Sequence, residues 1–380
     1  PNIYNFIVKK YYEHNKDLKK REILSDDNSK IIHVIDSDQG GGAEKLVSYL
    51  ANLNITDRVI VFSKSTENLD LKSKYFSLKI KTKSVFSVIL ATWRLYKFLF
   101  KIKKRKKLIL HSHLGRSLYS TFLPTFLLGI KHVHTEHNTH NRRRSKWYMY
   151  FFEYIIYRSL THIVCISKAT KESLLSYLPN LVHKVTIIEN GTNLYKYKNR
   201  NLKKTKFNIL ILGSLTYKKG IDLFIKILPF VSSKINEVKI IGSGSEKQRL
   251  LDLTKKLSLE NIVKFIPFTE DPTFYIYSSD VGIVPSRWEG FGLVAIEMRS
   301  SGLPILISDT PGLYSILSGY NGVYSFKNGS KESLKISLTS LLDKLSLGEF
   351  IIKDLNADLE IYSKNSFIKR YENFYKNLDF

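Results

Sequence analysis

The segment between residues 281 and 312 restricts the fold of this chain more than any other, because it alternates strand and helix signals around a glycine loop. Residues 280–285 indicate a buried strand, residues 290–292 form a loop with two glycines, and a helix-like run and a short apolar strand over residues 304–308 follow. A helix start presents free backbone N–H groups and the positive end of the helix dipole. Glycine lets the backbone approach a phosphate closely. The segment therefore predicts an α/β unit with an anion site at the helix start.

Two glutamates, Glu289 and Glu297, flank this loop with seven residues between them. Carboxylates beside a phosphate repel it, unless each accepts hydrogen bonds from neutral hydroxyl groups of a ligand whose phosphates lie on the backbone between them. A nucleotide-sugar has this composition, with sugar hydroxyls at one end, a diphosphate in the middle and ribose hydroxyls at the other. The alternative is a Rossmann-like βα unit with two incidental surface glutamates.

The sequence EGFGLVAIE, followed by GLPILISD, resembles the glutamate pair and the next strand of the retaining glycosyltransferases of family 4. The resemblance implies the GT-B fold, an α/β architecture in which two Rossmann-like domains face a central cleft. The expected divisions are an N-terminal arm (1–29), an acceptor-binding domain (30–198), a nucleotide-sugar-binding domain (207–360) and a C-terminal helix that crosses back to the first domain (361–380). Residues 195–206 are basic and poor in apolar residues, which is typical of a domain linker.

Length and cysteine content are compatible with this architecture. A chain of 380 residues is long enough for two α/β domains. Its single cysteine, Cys165, excludes an internal disulfide framework and fits a reducing cytosol. No uncharged apolar run reaches membrane-spanning length, and no signal-peptide pattern is present. We therefore expect a cytoplasmic protein, located peripherally at the inner face of the cell membrane.

The positive charge is concentrated in the first half of the chain. Residues 1–200 contain 36 Lys and Arg against 15 Asp and Glu, whereas residues 201–380 contain 24 against 19. The candidates for an anionic partner are nucleic acid, anionic lipid and a phosphorylated acceptor. Residues 81–110 hold ten basic and no acidic residues among apolar ones, and residues 141–160 pair arginines with aromatics. Both patterns indicate contact with an anionic membrane surface, or else ordinary surface helices.

The first half also carries candidate ligand-binding residues. A strand over residues 30–36 leads into GGGAE, which resembles the loop near donor phosphate and acceptor in family 4; the G-x-G-x-x-G spacing of a dinucleotide site is absent. The segment TEHN resembles the strand end whose histidine lies beside the anomeric carbon, which corresponds to His137. The segment HSH resembles a second position of the family, on the acceptor side of the site, which corresponds to His113. The predicted acceptor-binding residues are His113, Arg116, Arg142 and Arg143.

In the second half, the loop GSLTYKKG resembles the family motif G-R-L-x-x-x-K-G, whose two basic side chains contact the donor diphosphate. Lys219 matches this motif. Ser214 stands where arginine is commonest, so half of the clamp is absent, and Lys218 or Arg287 are the candidates to compensate. The predicted donor-binding residues are Gly41, Gly42, Ser214, Lys219, Phe291, Gly292, Leu293 and Glu297.

Two histidine-bearing strand ends, residues 108–113 and 132–138, are compatible with a metal site, but the spacing identifies no matching third ligand. The only Asp-x-Asp near a glycine loop, at Asp36, precedes the loop and is poorly placed for a divalent ion. We therefore predict a metal-independent enzyme that needs no cofactor.

The resemblance implies a hexosyltransferase-type reaction in bacterial cell-surface polysaccharide synthesis, with a UDP-sugar as the favoured donor and a lipid-linked or anionic glycan as acceptor. Its predicted catalytic residues are His137 at the anomeric centre, Glu289 on sugar hydroxyls and Lys219 on the leaving diphosphate. The alternatives are a nucleotide-sugar epimerase with a GT-B-like fold and a basic nucleic-acid-binding protein. Binding to nucleic acid would leave the glutamate pair in the nearly neutral half unexplained, so no nucleic-acid partner is expected.

Overall fold

The computed structural model describes residues 30–37, 41–63, 74–80, 84–103, 107–200, 202–349 and 356–378. The predicted N-terminal arm, residues 1–29, lies outside the described residues. The described chain forms two parallel sheets with helices on both faces, so the prediction of two Rossmann-like domains is confirmed.

The first domain contains a seven-stranded parallel sheet of order β3-β2-β1-β4-β5-β6-β7. Its strands are β1 (Lys30–Ser37), β2 (Thr56–Ser63), β3 (Tyr75–Ser77), β4 (Leu108–His113), β5 (Lys131–Glu136), β6 (His162–Cys165) and β7 (Val185–Ile187). Its helices are α1 (Gly42–Ala51), α2 (Val85–Lys103), α3 (Gly115–Leu128), α4 (Trp147–Ser159) and α5 (Lys168–Tyr177). Helices cover both faces of the sheet, which is why the central strands are almost entirely buried.

The second domain contains a six-stranded parallel sheet of order β10-β9-β8-β11-β12-β13. Its strands are β8 (Phe207–Leu212), β9 (Ile235–Ile241), β10 (Val263–Ile266), β11 (Val281–Val284), β12 (Ile305–Ser308) and β13 (Val323–Phe326). Its helices are α6 (Ile221–Ile227), α7 (Lys247–Lys256), α8 (Thr273–Ser278), α9 (Leu293–Ser300), α10 (Pro311–Leu317) and α11 (Lys331–Leu347). Strand order reverses between β8 and β11, and the crevice beyond the carboxyl ends of strands at such a switch point is the usual ligand position.

After the second sheet, the chain returns to the first domain through α12 (Asn356–Leu359) and α13 (Lys364–Lys376). Helix α13 packs Phe367, Tyr371 and Tyr375 into a core that also contains residues of β1, β5 and β6. The last helix therefore ties the two domains together.

The structure describes parts of the predicted linker and of the basic segment at residues 81–110. The backbone N–H of Lys198 donates to Ser301 O at 3.1 Å, so the start of the predicted linker lies along the second domain. Within the basic segment 81–110, helix α2 covers Val85–Lys103 and strand β4 begins at Leu108, as predicted, while residues 81–83 and 104–106 lie outside the described residues. No helix in the described ranges has the length and apolar character needed to cross a bilayer.

Candidate active site

The two domains touch where the loop after β11 meets the chain following β5. A Cβ added to Gly290 would lie 2.3 Å from His137 O, so only glycine allows this approach. Thr139 Oγ1 donates to Glu289 O at 3.2 Å, and Ser167 Oγ donates to Gly290 O at 2.9 Å. The first domain therefore holds the loop that carries the first glutamate.

Glu289 lies between two lysines at the floor of the crevice. Its Oε2 is 2.5 Å from Lys219 Nζ, its Oε1 is 3.8 Å from Lys218 Nζ, and Gly290 N–H donates to Oε1 at 3.3 Å. Burial raises the pKa of Glu289, but Lys219 and Lys218 outweigh it and lower the pKa to about 2. Glu289 is thus an ionised hydrogen-bond acceptor beside two cations.

The glycines of the loop after β8 place Lys219 at this point. Gly220 has φ of +64°, and a Cβ there would lie 2.0 Å from Pro285 O, so the turn packs against the end of β11 only with glycine. The stem of Lys219 crosses Gly213, whose added Cβ would lie 3.5 Å from Lys219 Cε. The loop therefore directs the lysine toward Glu289.

The two residues predicted to compensate for the missing arginine lie in different places. Arg287 makes two hydrogen bonds to the carboxylate of Asp222, at 2.7 and 2.8 Å, and lies 4.0 Å above the ring of Tyr217. Lys218 lies beside Glu289, whereas Ser214 is within 3.4 Å of the Thr216 hydroxyl. Lys218 is thus the cation that accompanies Lys219, and Arg287 is held by the fold.

The start of α9 provides hydrogen-bond donors next to these lysines. Gly292 is its N-cap, with φ of +89°, and within the described residues the backbone N–H groups of Gly292, Leu293 and Val294 donate to no other residue. The side chain of Phe291 is buried in the core and packs edge-on against Tyr362, so at this position only the backbone faces the crevice.

The start of α1 lies opposite the start of α9. A Cβ added to Gly42 would lie 3.6 Å from Leu293 Cδ1, and Gly41 is the N-cap of α1. Two helix dipoles therefore present their positive ends to the same region of the crevice, where the sequence predicted a phosphate.

Glu297 is held by residues of the first domain that the sequence did not identify. Lys45 Nζ and Thr192 Oγ1 both donate to its Oε1, and Lys45 Nζ also donates to Thr192 Oγ1 at 3.2 Å. Lys45 directly follows the GGGAE segment, and Thr192 directly follows an Asn–Gly pair, which is a common turn sequence, so these two neighbouring features were the available signal. The carboxylate keeps Oε2 for a further donor.

The histidines of the two predicted strand ends lie on opposite faces of the sheet. In the register of β4 and β5, His111 pairs with Val133 and His113 with Thr135, so His132 and His134 point the other way. The third imidazole beside His111 and His113 comes from β1, where His33 pairs with His111.

The ring nitrogens of His33, His111 and His113 lie within 4.8 Å of one another. They are engaged by the protein itself: His111 hydrogen-bonds Tyr375 OH at 2.6 Å and Thr135 Oγ1 at 2.7 Å, and His33 hydrogen-bonds His113 at 3.0 Å. A metal would have to displace these bonds. Metal independence stays a prediction.

A cavity of about 270 Å³ lies next to the crevice in the first domain. Its lining comes from the ends of β5, α3 and α4 and includes Tyr119, His134, Asn138, His140, Asn141 and Arg143. Of the predicted acceptor residues, Arg143 lines the cavity, 4.7 Å from the ring of Tyr119. Arg116 instead donates to Ser87 Oγ at 2.8 Å, and the side chain of Arg142 lies outside the described structure. His113 is buried behind His137.

A buried charge network supports this cavity. Arg144 bridges Glu136, at 2.8 Å, and Glu153, at 3.3 Å, while Tyr157 OH donates to Glu136 at 2.5 Å. Burial raises the pKa of Glu136, but the charge of Arg144 outweighs this effect and the net pKa lies below its usual value. The carboxylate is therefore ionised and paired. The network joins β5 to α4 and holds the cavity wall in place.

A crevice between two Rossmann-like domains, with a glutamate pair at a helix start, is the arrangement of a GT-B glycosyltransferase. Family models agree: the model for glycosyl transferases group 1 matches residues 196–354, and the model for Glycosyltransferase Family 4 matches residues 40–196. The chain belongs to this family of glycosyltransferases.

Three similar proteins illustrate the relationship. The O-antigen biosynthesis glycosyltransferase WclY of Escherichia coli is 31% identical over 212 residues, covering 53% of this chain and 58% of the relative. The UDP-Gal:alpha-D-GlcNAc-diphosphoundecaprenol alpha-1,3-galactosyltransferase of Escherichia coli is 26% identical over 239 residues, which cover 57% of this chain and 61% of the relative. The structure of Anabaena HepE with UDP and glucose superposes with a TM-score of 0.76 over 92% of this chain and 100% of that one, at 16% identity, a likeness of fold. The chain spans 53 to 62% of the length of the first curated relatives it matches.

Proposed function

We propose that this protein transfers a sugar from a nucleotide-diphosphate sugar, with a UDP-sugar favoured, to a lipid-linked or anionic glycan acceptor, and that the anomeric configuration is retained. The observation that carries the proposal is the Lys219–Glu289 pair next to the start of α9, opposite the start of α1. The names of HepE bound to UDP and glucose and of the UDP-Gal-dependent galactosyltransferase support the choice of donor.

The donor diphosphate fits between the two helix starts. Lys219 would neutralise charge that develops on the leaving phosphate, together with the N–H groups of Gly292 and Leu293. Glu289 would accept hydrogen bonds from sugar hydroxyls, since its carboxylate is ionised and lies beside Lys219 and the Gly290 backbone. Glu297 would accept from the ribose through Oε2, because Lys45 and Thr192 already occupy Oε1.

In the proposed reaction the acceptor hydroxyl attacks the anomeric carbon from the face that the diphosphate leaves. The bond between the anomeric carbon and the phosphate oxygen breaks, the bond to the acceptor oxygen forms, and the departing phosphate takes the acceptor's proton. Burial, with His134 and Lys218 nearby, lowers the pKa of His137 to about 3. His137 is therefore neutral at pH 7 and contributes hydrogen bonding instead of charge.

In this proposal the acceptor occupies the cavity of the first domain that is lined by Arg143 and His140. The ring of His140 lies 5.6 Å from the ring of Trp288, with the two planes tilted by 50°, so the cavity lies next to the glutamate loop. Arg143 and the polar groups around it would contact a glycan or its phosphate.

The surface of the first domain supports a membrane-bound acceptor. Helix α2 packs on α3 and α3 on α4, and all three expose large apolar side chains. These are Phe86, Ile89, Leu90, Trp93 and Phe100 of α2, Leu123, Phe126 and Leu127 of α3, and Trp147, Phe151, Phe152 and Ile155 of α4. Basic residues accompany them, with Lys97 Nζ 3.7 Å above the Trp93 ring. Each basic residue near an anionic leaflet adds about 1 kcal/mol, so we propose peripheral association with the inner face of the cell membrane.

Donor binding is tested by thermal denaturation with UDP-, GDP- and CMP-sugars, because a ligand that binds only the folded state raises the melting temperature. A UDP-sugar is expected to raise it for the wild type and not for Glu289→Ala. Stabilisation by duplex DNA alone would contradict the proposal and favour the nucleic-acid alternative. Interconversion of the donor sugar without any acceptor would identify an epimerase.

Transfer and location are tested separately. Incubation of a labelled UDP-sugar with bacterial membranes should label a lipid-linked product whose new linkage keeps the donor's configuration. Sedimentation with vesicles should require anionic phospholipid and should weaken in Trp93→Ser/Phe126→Ser, while donor-induced stabilisation is unchanged. Equal binding to neutral and anionic vesicles would overturn the electrostatic part of the proposal.

A further inference from the structure

We propose that Thr56, His33 and His113 form a hydrogen-bonded chain that fixes the tautomer of His137, so that His137 offers the lone pair of Nδ1 to a hydroxyl group of the donor sugar. The assignment of the sugar as the partner rests on the proposed function. The assignment of the tautomer follows from the protein alone. It makes His33, His113 and Thr56 positioning residues that never touch the substrate.

The chain runs from the core of the first domain to the crevice. Thr56 Oγ1 lies 3.5 Å from His33 Nε2, His33 Nδ1 lies 3.0 Å from His113 Nε2, and His113 Nδ1 lies 3.4 Å from His137 Nε2. Thr56, His33 and His113 are buried, and His137 is partly exposed beside the Glu289–Gly290 loop. Every link joins side chains that are distant in sequence or on different strands.

Each imidazole of this chain is neutral at physiological pH. Burial lowers the pKa of His33 to about 3 and that of His113 well below its usual value, and the pKa of His137 is about 3. A neutral imidazole has one N–H donor and one nitrogen with a lone pair. The state of either nitrogen therefore determines the state of the other, and a chain of such rings has only two consistent arrangements.

Thr56 selects between the two arrangements. Its hydroxyl lies 2.7 Å from Leu50 O, and since a carbonyl oxygen only accepts, the single hydroxyl proton must point there. Thr56 Oγ1 can then only accept from His33, so the proton of His33 is on Nε2 and its Nδ1 accepts.

The remaining assignments follow in order along the chain. His33 Nδ1 accepts from His113 Nε2–H, which leaves His113 Nδ1 as an acceptor. That nitrogen accepts from His137 Nε2–H, which leaves the lone pair of His137 on Nδ1. Among the described residues, nothing else hydrogen-bonds His137, so Nδ1 is available to a ligand.

The chemical consequence is a restricted role for His137. The sugar group that it contacts must be a donor, which fits a hydroxyl and excludes an ether oxygen or a phosphate oxygen. In this tautomer, His137 cannot donate a proton through Nδ1 to the leaving group. It orients the sugar by accepting one hydroxyl hydrogen bond.

The tautomer is measured directly on the full chain labelled with ¹⁵N-histidine, with no donor or acceptor present. Two-dimensional spectra that correlate ring nitrogens with ring protons distinguish Nδ1–H from Nε2–H imidazole, and His137→Ala assigns the resonances. We expect Nε2–H and unprotonated Nδ1 at His33, His113 and His137. An Nδ1–H tautomer at His137 would overturn the proposal.

Variants of Thr56 test its control of the chain. Thr56→Val removes the acceptor and should give a mixture of tautomers at all three histidines, while Thr56→Ser keeps the hydroxyl and should keep the wild-type tautomers. If Thr56→Val left the three tautomers unchanged, with its fold intact by circular dichroism, Thr56 would not determine the direction of the hydrogen bonds along the chain.

A kinetic experiment tests the link to the sugar. Thr56→Val should lower kcat about 3- to 10-fold with little change in KM for the acceptor, and Thr56→Ser should restore it. A donor that lacks the contacted hydroxyl should react equally with wild type and Thr56→Val. If the wild-type tautomers are as assigned but no sugar is transferred, the proposed function fails while the tautomer chain stands. If transfer occurs but kcat is insensitive to Thr56→Val, the positioning role is refuted.

Discussion

Lys45 and Glu297 join the two domains across the crevice, because the ammonium group in the first turn of α1 donates to the carboxylate within α9. Thr192 donates to the same oxygen, so three side chains meet at one point. Glu297 is only 5% exposed, and a carboxylate held out of water needs such partners. The contact fixes the distance between the two helix starts that face the proposed diphosphate.

Lys45→Met should therefore lower the stability of the two-domain unit. It leaves the buried Glu297 with Thr192 alone, and since Lys45 itself is partly exposed, we expect a loss of roughly 1 to 3 kcal/mol in the free energy of unfolding, less than for a fully buried pair. Urea unfolding of Lys45→Met, Glu297→Gln and the double variant measures the coupling energy.

Lys168→Met is the matched control, because Lys168 is well exposed and lies 3.9 Å from the exposed Glu172. It should change the free energy of unfolding by less than about 0.5 kcal/mol. A coupling energy near zero for the Lys45–Glu297 cycle would contradict the account of the inter-domain contact.

Substitution of Lys218 should mainly weaken donor binding, whereas substitution of Arg287 should mainly lower the stability of the fold. Lys218→Ala removes a cation beside Glu289 and should weaken nucleotide-sugar binding about tenfold with little change in stability. Arg287→Ala leaves Asp222, which is 3% exposed, with only Lys226 at 3.4 Å, and should cost roughly 2 to 4 kcal/mol of stability. Titration calorimetry with a UDP-sugar and urea unfolding of both variants separate the two effects. Equal loss of affinity in both would place Arg287 at the diphosphate.

The apolar strands could be predicted closely from the sequence. Leu108–His113 has the predicted bounds, and Ile305–Ser308 begins one residue after the predicted start and ends at the predicted residue, because strands covered by helices on both faces are near-continuous runs of apolar residues. Strands Tyr75–Ser77 and Val323–Phe326 were missed, since three or four residues at a sheet edge carry too little periodicity.

The candidate site was predictable only where a local motif marked it. Glu289 and Lys219 each lie in a glycine loop, and the structure brings them to 2.5 Å. The contact of His33 with His113 depends on the register of β1 against β4, across 80 residues, and no local pattern specifies it. Lys45 was missed for the same reason, because its partner lies in the other domain.

Stability should fall steeply as the pH is lowered below about 6.5. Seven buried or half-buried histidines have a pKa that is lowered by loss of water contact: His33, His111, His113, His132, His134, His137 and His162. They stay neutral in the folded state, while the unfolded chain binds protons. Their contribution is therefore complete above pH 6.5 and is lost as the pH falls toward 4 to 3, at about 1.4 kcal/mol per pH unit for each histidine.

Urea unfolding between pH 7.5 and 5 measures this slope. His132→Asn removes one of the seven imidazoles and should flatten the slope by about one seventh of its value, whatever its effect on stability at pH 7.5. A free energy of unfolding that stays constant across this range would show that the histidines are accessible to protons in the folded state.

Gly290→Ala tests how closely the domains must approach at the glutamate loop. The added methyl group would lie 2.3 Å from His137 O, a backbone atom that cannot turn aside, so the loop or the domain contact must shift. We expect a loss of about 1 to 3 kcal/mol in the free energy of unfolding and a fall in kcat of at least tenfold, because Glu289 moves with the loop.

Gly319→Ala is the control, since its Cβ would meet nothing within 4 Å, and it should be neutral or slightly stabilising. Urea unfolding and transfer assays of the two variants give the comparison, and a Gly290→Ala protein with wild-type kcat would mean that the loop functions without this contact.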